Sequence, residues 1–194
     1  LKSIKVNGLS LNEKKNIQNE LDKLKNINIF KLTEKNVLEK LDKFQFIENI
    51  YVNKIIPSSL NLNISKTAIL GKTTINGEKF FIGQNGKLIN SKYIFDQNNV
   101  ASVFGDFKVE DFINLIKKLN RNGIRISSIE KYYYYKNKRW DLLFLNNQTL
   151  KLPSEKYEES IKIYKKLLVS EDLTNVLIID LRVSNQIIVT NKNE

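Results

Sequence analysis

The chain has 194 residues, of which 41% are hydrophobic and 27% are charged, and its formal net charge is +11. It contains no His, no Cys and no Met, which excludes a Ser-His-Asp or Cys-His triad, a disulfide bond and a zinc site with His or Cys ligands. The length allows one large domain or two small ones, and no window has the ~18 uninterrupted apolar residues that a membrane-spanning helix needs.

The positive charge comes mostly from lysine, because 28 Lys accompany only 4 Arg. It is spread evenly, with a net charge of +6 in residues 1–72 and +5 in residues 73–194. A nucleic-acid site concentrates Arg and Lys on one face. The even spread therefore favours a solvated basic surface, and a basic nucleic-acid-binding module stays open as an alternative.

The first predicted elements are a short strand and two helices. Ile4 and Val6 alternate with a lysine in the strand, and Ser10 with Glu13 forms a capping box that opens the first helix. Thr33 opens the second helix. The apolar side of the first helix holds Ile17, Leu21 and Leu24. The buried side of the second is predicted to hold Val37, Leu38, Leu41 and Phe44.

The pattern then changes to alternation, which predicts two antiparallel strands on either side of Pro57. Ile50 and Val52 mark the first strand, and the apolar positions of the second are Leu60, Leu62 and Ile64. The order β-α-α-β-β with one apolar sheet face predicts a two-layer α+β unit.

The rest of the chain predicts a mostly antiparallel sheet with two helices. Asn76-Gly77 and Asn85-Gly86 are turn signals around a hairpin. Further strands are predicted at residues 100–104, 124–135, 139–145, 148–152, 176–183 and 187–189. One helix carries an apolar stripe that begins at Val109 and ends before Gly123. The other is predicted to begin at Pro153, with its apolar side formed by Tyr157, Ile161, Tyr164 and Leu168.

Few residues suggest a catalytic, cofactor or metal site. Neighbouring carboxylates are interpreted as helix caps or solvated groups; they are Glu110-Asp111, Glu158-Glu159 and Glu171-Asp172. Asp180 and Arg182 share one face of a predicted strand, which is typical of an ion pair. The run from Tyr132 to Tyr135 is interpreted as a strand with two packed rings and two outer rings, with base stacking as the alternative. We expect no enzyme activity, no cofactor and no metal site.

The ordered set of motifs resembles the extracytoplasmic region of the bacterial FtsQ/DivIB family of cell-division proteins. The first part of the resemblance is carried by Ile4-Lys5-Val6-Asn7-Gly8, Phe46-Ile47-Glu48-Asn49-Ile50-Tyr51-Val52-Asn53-Lys54 and the alternating Leu60, Leu62 and Ile64. The second part is carried by Asn85-Gly86-Lys87, Lys138-Arg139-Trp140-Asp141-Leu142, Asn146-Asn147, Leu150-Lys151-Leu152 and Ile179-Asp180-Leu181-Arg182.

The resemblance implies an N-terminal POTRA domain over residues 1–66, a β domain over residues 67–190 and a C-terminal tail over residues 191–194. It implies a non-catalytic scaffold that binds FtsB and FtsL and helps assemble the divisome, the complex controlling septal peptidoglycan synthesis. The absence of Met and the start at Leu1 lead us to expect an N-terminal membrane helix upstream. The region would then lie on the periplasmic side of the inner membrane, concentrated at the division site.

The resemblance also points to binding residues. The last strand of a sheet built in chain order tends to lie at an edge, where a partner strand can add. The segment from Val183 to Val189 is predicted to be that strand, and its candidate contacts with FtsB are Val183, Asn185, Gln186, Ile187 and Val189. Lys138 and Arg139 are expected to meet acidic groups of FtsB. Other division proteins are expected to meet the POTRA domain at Tyr51, Asn53 and Lys54. A POTRA-bearing component of an outer-membrane assembly or secretion system is the remaining alternative.

Overall fold

The computed structural model describes residues 1–94 and 99–192, which belong to two compact units. The first unit contains Leu1–Ile69 and the segment that starts at Glu78, and the second contains Leu70–Gly77 and the segment that starts at Asn99. Within these described ranges, no helix has the length and apolar character needed to cross a lipid bilayer.

The described residues form four α-helices and twelve strands. The helices are α1 (Leu11–Leu21), α2 (Glu34–Leu41), α3 (Val109–Arg121) and α4 (Tyr157–Ser170). The strands are β1 (Ser3–Asn7), β2 (Ile47–Ile55), β3 (Ser59–Lys66), β4 (Ile69–Ile75), β5 (Glu78–Gly83), β6 (Leu88–Asn90), β7 (Ser102–Phe104), β8 (Ile129–Tyr134), β9 (Trp140–Phe144), β10 (Thr149–Lys151), β11 (Val176–Asp180) and β12 (Ile188–Asn191).

The first unit has the predicted β-α-α-β-β order. Its sheet runs β1-β3-β2, with β1 parallel and β2 antiparallel to β3. The capping box of α1 is present, and the Glu13 carboxylate accepts the Ser10 backbone N–H at 3.0 Å. The inner sheet face and the two helices share one apolar core, to which Val6, Ile17, Leu21, Val37 and Leu62 contribute.

The prediction that Leu38 of α2 is buried is wrong. Val37 and Leu41 are buried, whereas Leu38 is 43% exposed. Residues four apart lie on one side of a helix, while the next residue is about 100° around the axis. A helix of only eight residues buries one narrow stripe, and Val37 with Leu41 defines it.

The hairpin of β5 and β6 packs on the core of the first unit. Ile89 and Ile94 are buried in that core, and the Tyr93 ring contacts the Phe44 ring edge-on at a centroid distance of 5.3 Å. The amide of Asn85 in the hairpin turn donates to the Gln45 carbonyl at 3.0 Å. The hairpin itself was predicted, but its contribution to this core was not.

The sheet of the second unit runs β12-β11-β10-β9-β8-β7-β4. Strands joined by short turns are antiparallel, as in β8–β9, β9–β10 and β11–β12. Two of the parallel pairs have a helix between their strands in the chain, with α3 between β7 and β8 and α4 between β10 and β11, and β4 also pairs with β7 in parallel. The predicted α+β class with two helices in this unit is confirmed, and the seven strands of its sheet form three antiparallel and three parallel pairs.

Helix α4 begins later than predicted. Its first residue is Tyr157 and not Pro153, because Lys156 has a φ of +51° and no residue of a right-handed helix adopts that value. Ile161 and Tyr164 are buried as expected, whereas Leu168 is 43% exposed. Leu168 lies near the C-terminal end of α4.

The tyrosine run lies in β8 and divides between the two faces of the sheet. Tyr132 is fully buried, and the Tyr134 ring packs on Trp140 at a centroid distance of 4.7 Å. On the other face, Tyr133 stacks on Phe104 at 5.3 Å. Tyr135 follows the strand and is exposed. The interpretation as a strand with two packed rings is confirmed.

Candidate partner-binding site

Strand β12 has an open edge. It pairs with β11 on one side, and no other strand in the described part of the chain pairs with it. The Lys192 N–H donates to the Asn175 carbonyl at 2.9 Å, so the backbone groups of Lys192 face β11. Because alternate residues of a strand point the same way, the amides of Ile188 and Thr190 also face β11. The amides of Val189 and Asn191 point to the open edge.

The last strand begins at Ile188, later than the predicted start at Val183. A turn precedes it, in which the Gln186 N–H donates to the Val183 carbonyl at 3.2 Å and Asn185 has a φ of +61°. Of the five residues predicted on the last strand, only Val189 belongs to it. The other four form the loop between β11 and β12, and they line a cavity of about 570 Å³ with the first turns of α4.

The loop and the strand expose apolar side chains. Val183, Ile187, Ile188 and Val189 are each between 42% and 49% exposed. Charged side chains and prolines are the usual means by which proteins block an exposed strand edge. The segment from Val183 to Val189 has neither, so the edge is suitable for pairing with another strand.

A row of charged residues crosses the sheet beside this edge. Asp141 of β9 is paired with Lys151 of β10, and Lys151 is paired with Asp180 of β11. Residues paired across neighbouring strands project from the same face. Asp141 and Asp180 are 4% and 8% exposed, so these carboxylates are largely removed from water.

One residue, Arg182, supplies hydrogen bonds to both oxygens of the Asp180 carboxylate. The Arg182 Nε donates to both carboxylate oxygens, at 2.8 and 2.9 Å, and the Arg182 backbone N–H adds a third bond at 3.1 Å. These bonds from Arg182 hold the pKa of Asp180 below its usual value, against the effect of burial. The sequence-based interpretation of this pair as an ion pair is confirmed, and it neutralises much of the Arg182 charge.

The Asp141 carboxylate has weaker polar contacts than the Asp180 carboxylate. Its Oδ1 lies 3.7 Å from Arg139 Nε, and neither atom has a hydrogen-bond partner in the described part of the chain. Burial raises the pKa of Asp141, and Arg139 offsets only part of that effect. The Arg139 guanidinium also lies over the Tyr135 ring, 4.1 Å from its centroid. Arg139 is therefore less completely neutralised than Arg182.

Lys138 is exposed in the turn between β8 and β9, where its φ is +62°. It lines a cavity of about 820 Å³, which shares Ser154 with the cavity beside the β11–β12 loop. The structure thus brings Lys138 and the four loop residues to the same end of the second unit. In contrast, Val189 and Arg139 are separated across the sheet by β10 and β11.

The three residues predicted in the first unit do not share one face. Tyr51, Asn53 and Lys54 are all exposed on β2, the edge strand opposite β1. By strand alternation, Tyr51 and Asn53 project from the outer face and Lys54 from the face toward the helices. On the outer face, Asn7 Nδ2 donates to the Asn61 side chain at 2.8 Å, so Tyr51 and Asn53 lie beside a polar surface.

Sequence reasoning missed Asp141 and Lys151 as members of this site. The available signal was a charged residue between apolar residues within each short strand, in Trp140-Asp141-Leu142 and Leu150-Lys151-Leu152. That signal places each residue on one face of its own strand. Their alignment in one row depends on strand order and register, which only the folded sheet provides.

Two family models match the chain. The model of the FtsQ-type POTRA domain matches residues 1–66, and that of the FtsQ/DivIB cell-division protein, C-terminal, matches residues 74–182. Together they cover most of the chain in the order that the motifs suggested. This order favours the cell-division family over the alternative of an outer-membrane assembly component.

Curated relatives agree with this assignment. The chain is 24% identical over 175 residues to the cell division protein FtsQ of Rickettsia bellii, covering 90% of this chain and 65% of the relative. It is 24% identical over 160 residues to FtsQ of Rickettsia conorii, covering 81% and 60%. The chain thus spans 60–65% of the length of these relatives.

Among solved structures, the chain is similar to the major extracytoplasmic domain of the cell-division protein DivIB from Geobacillus stearothermophilus. The TM-score is 0.39 at 9% sequence identity, and the match covers 54% of this chain and 93% of that chain.

Proposed function

Because the chain belongs to the FtsQ/DivIB family of cell-division proteins, we propose that it is a non-catalytic scaffold that binds FtsB and FtsL. In this role it helps assemble the divisome that controls septal peptidoglycan synthesis. The observation that carries the proposal is the open edge of β12, which within the described residues pairs only with β11 and exposes Ile188 and Val189. We also propose an inner-membrane location, with a single N-terminal helix and this region on the periplasmic side at the division site.

The binding mode is addition of a strand of FtsB to β12. An added strand forms backbone hydrogen bonds with the open edge, and side-chain contacts supply specificity. The outward amides of Val189 and Asn191 are the donors that such a strand uses. Ile187 and Val183 provide apolar contacts at the end of that edge, and Asn185 and Gln186 provide polar ones.

Lys138 and Arg139 act as a second contact for acidic groups of FtsB. Three strand spacings separate β9 from β12, a distance of about 14 Å. A single added strand does not span this distance, so the partner needs a further segment that crosses the end of the sheet. Arg139 suits this contact, because its charge is less completely paired than that of Arg182.

The POTRA unit supplies a separate surface for other division proteins. Tyr51 and Asn53 form its outer contacts on β2, and Lys54 extends the same edge strand on the opposite face. This surface is on a different sheet from β12, so loss of FtsB binding leaves it intact.

The test is isothermal titration calorimetry of the chain with a soluble FtsB–FtsL segment, comparing Val189→Pro with Val189→Thr. Proline removes the outward amide of Val189, and a fold tolerates proline on an edge strand where the N–H faces solvent. We expect Val189→Pro to weaken binding at least tenfold, while Val189→Thr stays within about threefold of the original chain.

Ile188→Pro serves as the contrasting variant, because it removes an amide that faces β11 and so destabilises the native edge. Circular dichroism checks that Val189→Pro keeps the fold. Absence of binding by the original chain, or unchanged affinity in a folded Val189→Pro variant, would contradict strand addition at β12.

A further inference from the structure

One end of the first unit exposes several large apolar side chains. Phe30 and Ile56 are 72% and 67% exposed, and Ile55 and Ile27 are 53% and 38% exposed. Ile27 and Phe30 belong to the segment between α1 and α2, whereas Ile55 ends β2 and Ile56 follows it. A single exposed apolar side chain is ordinary, but a group of them marks an interaction surface.

Backbone hydrogen bonds bring these two segments together around the start of β1. The Leu1 amine donates to the Ile27 carbonyl at 2.7 Å, and the Asn26 N–H donates to the Leu1 carbonyl at 3.2 Å. On the other side, the Lys2 N–H donates to the Ser58 carbonyl at 2.7 Å. The segments that meet here form one surface, which we call the β1 tip and define as residues 1–2, 25–31 and 54–58.

The charged side chains of the β1 tip are all positive. They are four exposed lysines, Lys2, Lys25, Lys31 and Lys54, and the tip contains no Asp or Glu. Lys25 is paired at 3.0 Å with Asp22, which lies outside the tip. None of the other three has a carboxylate within 4.0 Å among the residues that the structure describes. The tip therefore keeps a positive charge beside its apolar side chains.

Apolar side chains flanked by lysines match the surface of an anionic bilayer. The apolar groups enter the boundary between headgroups and acyl chains, while the lysine ammonium groups stay at the level of the lipid phosphates. Basic segments are attracted to anionic lipids over about one Debye length. A second copy of this chain suits the tip poorly, because two surfaces of the same charge repel each other.

We propose that the β1 tip binds the surface of an anionic lipid bilayer. Phe30 and Ile56 enter the headgroup region, and Lys2, Lys31 and Lys54 contact the lipid phosphates. The proposal rests on the proposed function in one respect, since a membrane helix that precedes Leu1 brings the β1 tip close to the bilayer. It goes beyond that function, because the folded first unit itself then binds lipid and is held in one orientation on the membrane.

Co-sedimentation of the intact chain with lipid vesicles tests the proposal. One set of vesicles contains phosphatidylethanolamine and phosphatidylglycerol, and the other contains phosphatidylcholine alone. We expect binding to the anionic vesicles that weakens as the salt concentration rises, and little binding to the neutral ones. The double variant Phe30→Ser, Ile56→Ser removes apolar side chains without changing the charge, and we expect it to weaken binding at least tenfold.

The double variant Leu11→Ser, Val169→Ser is the matched control. These side chains are 87% and 78% exposed, and neither belongs to the β1 tip. The control is expected to bind within about threefold of the original chain. Circular dichroism checks that both double variants keep the fold.

A second comparison separates the position of the charges from their number. We expect Lys31→Gln with Lys54→Gln to weaken binding at least fivefold more than Lys162→Gln with Lys166→Gln. The second pair removes the same charge from exposed positions on α4. Equal losses from the two pairs would contradict a binding surface at the β1 tip.

Three further outcomes bear on the proposal. No binding of the original chain to anionic vesicles overturns it. So does equal binding by the original chain and by Phe30→Ser, Ile56→Ser, which would make the attraction a general effect of the net charge of +11. Dimers of the original chain that this variant does not form, seen by sedimentation velocity without vesicle binding, would assign the tip to a second copy and overturn it as well.

Failure of the lipid contact is distinguishable from failure of the proposed scaffold function. Phe30 and Ile56 belong to the first unit, whereas β12 belongs to the second. The variant Phe30→Ser, Ile56→Ser is therefore expected to bind the soluble FtsB–FtsL segment with unchanged affinity in calorimetry, whatever the result with vesicles.

Discussion

At the scale of single residues, Gly105 has a conformation that its neighbours require. Its φ is +108°, and a Cβ added there would lie 2.1 Å from the Tyr134 carbonyl oxygen. Gly77 also has a positive φ, +83°, but an added Cβ would have no atom within 4 Å. A substitution at Gly77 therefore tests backbone strain alone, whereas a substitution at Gly105 tests strain together with a steric clash.

We expect Gly77→Ala to lower the free energy of unfolding by about 1–2 kcal/mol, the cost of a left-handed conformation for an L residue. Gly105→Ala combines that strain with a backbone clash, and we expect a loss of about 3 kcal/mol or more. Urea denaturation of the two variants measures both values. Equal losses in the two variants would show that β7 and β8 move apart at little cost.

At the scale of elements, one ion pair joins α1 to the end of β3. Glu13 is 1% exposed, and its carboxylate oxygens lie 3.0 and 3.2 Å from Lys66 Nζ. Burial alone would raise the pKa of Glu13. The hydrogen bonds from the Ser10 N–H and from Lys66 outweigh burial, and the pKa is below its usual value.

Lys66→Met leaves the buried Glu13 carboxylate without this partner, and we expect a loss of about 1–3 kcal/mol in the free energy of unfolding. Lys15→Met, at an exposed position on α1, is the control and is expected to leave the free energy of unfolding nearly unchanged.

Because the pKa of Glu13 is lowered by folding, its contribution to the free energy of unfolding is present above the unfolded pKa. It is lost as the pH falls through the lower folded value. Denaturation at pH 7 and at pH 3 tests this, and the difference between Lys66→Met and the original chain should shrink at pH 3.

At the scale of the whole molecule, the division of the chain into domains is open to a direct experiment. The predicted boundary follows residue 66, but Ile89, Ile94 and Tyr93 pack on the core of the first unit. Removing them exposes apolar surface of Phe44 and its neighbours. We therefore expect a fragment of residues 1–66 to be less stable in urea than a fragment of residues 1–94.

A fragment of residues 1–77 is the control for length, since it extends the chain without the β5–β6 hairpin. We expect it to resemble the shorter fragment. If residues 1–66 proved as stable as residues 1–94, the hairpin would contribute nothing to this core, and the predicted boundary would stand as drawn.

Local patterns predicted most of the elements. The Ser10–Glu13 box, the alternation of Leu60, Leu62 and Ile64 and the stripe on α3 depend on neighbours along the chain, and all three are confirmed. Apart from the burial of Leu38 within α2, the main errors fall at element ends. Lys156 and Asn185 adopt positive φ values, and these delay α4 and β12 relative to the pattern, because apolar periodicity carries no information on where a turn is needed.

By itself, the sequence determined the α+β class, the order of the elements, the family and the exclusion of His- or Cys-based chemistry, because these follow from residue types and their spacing. Only the tertiary structure decided that the edge strand begins at Ile188, that Asp141, Lys151 and Asp180 form one row, and that Tyr157, Trp140 and Asp106 line one cavity. The physical reason is that these features depend on which strands pair and in which register. Such contacts join residues far apart in the chain, and no local pattern specifies them.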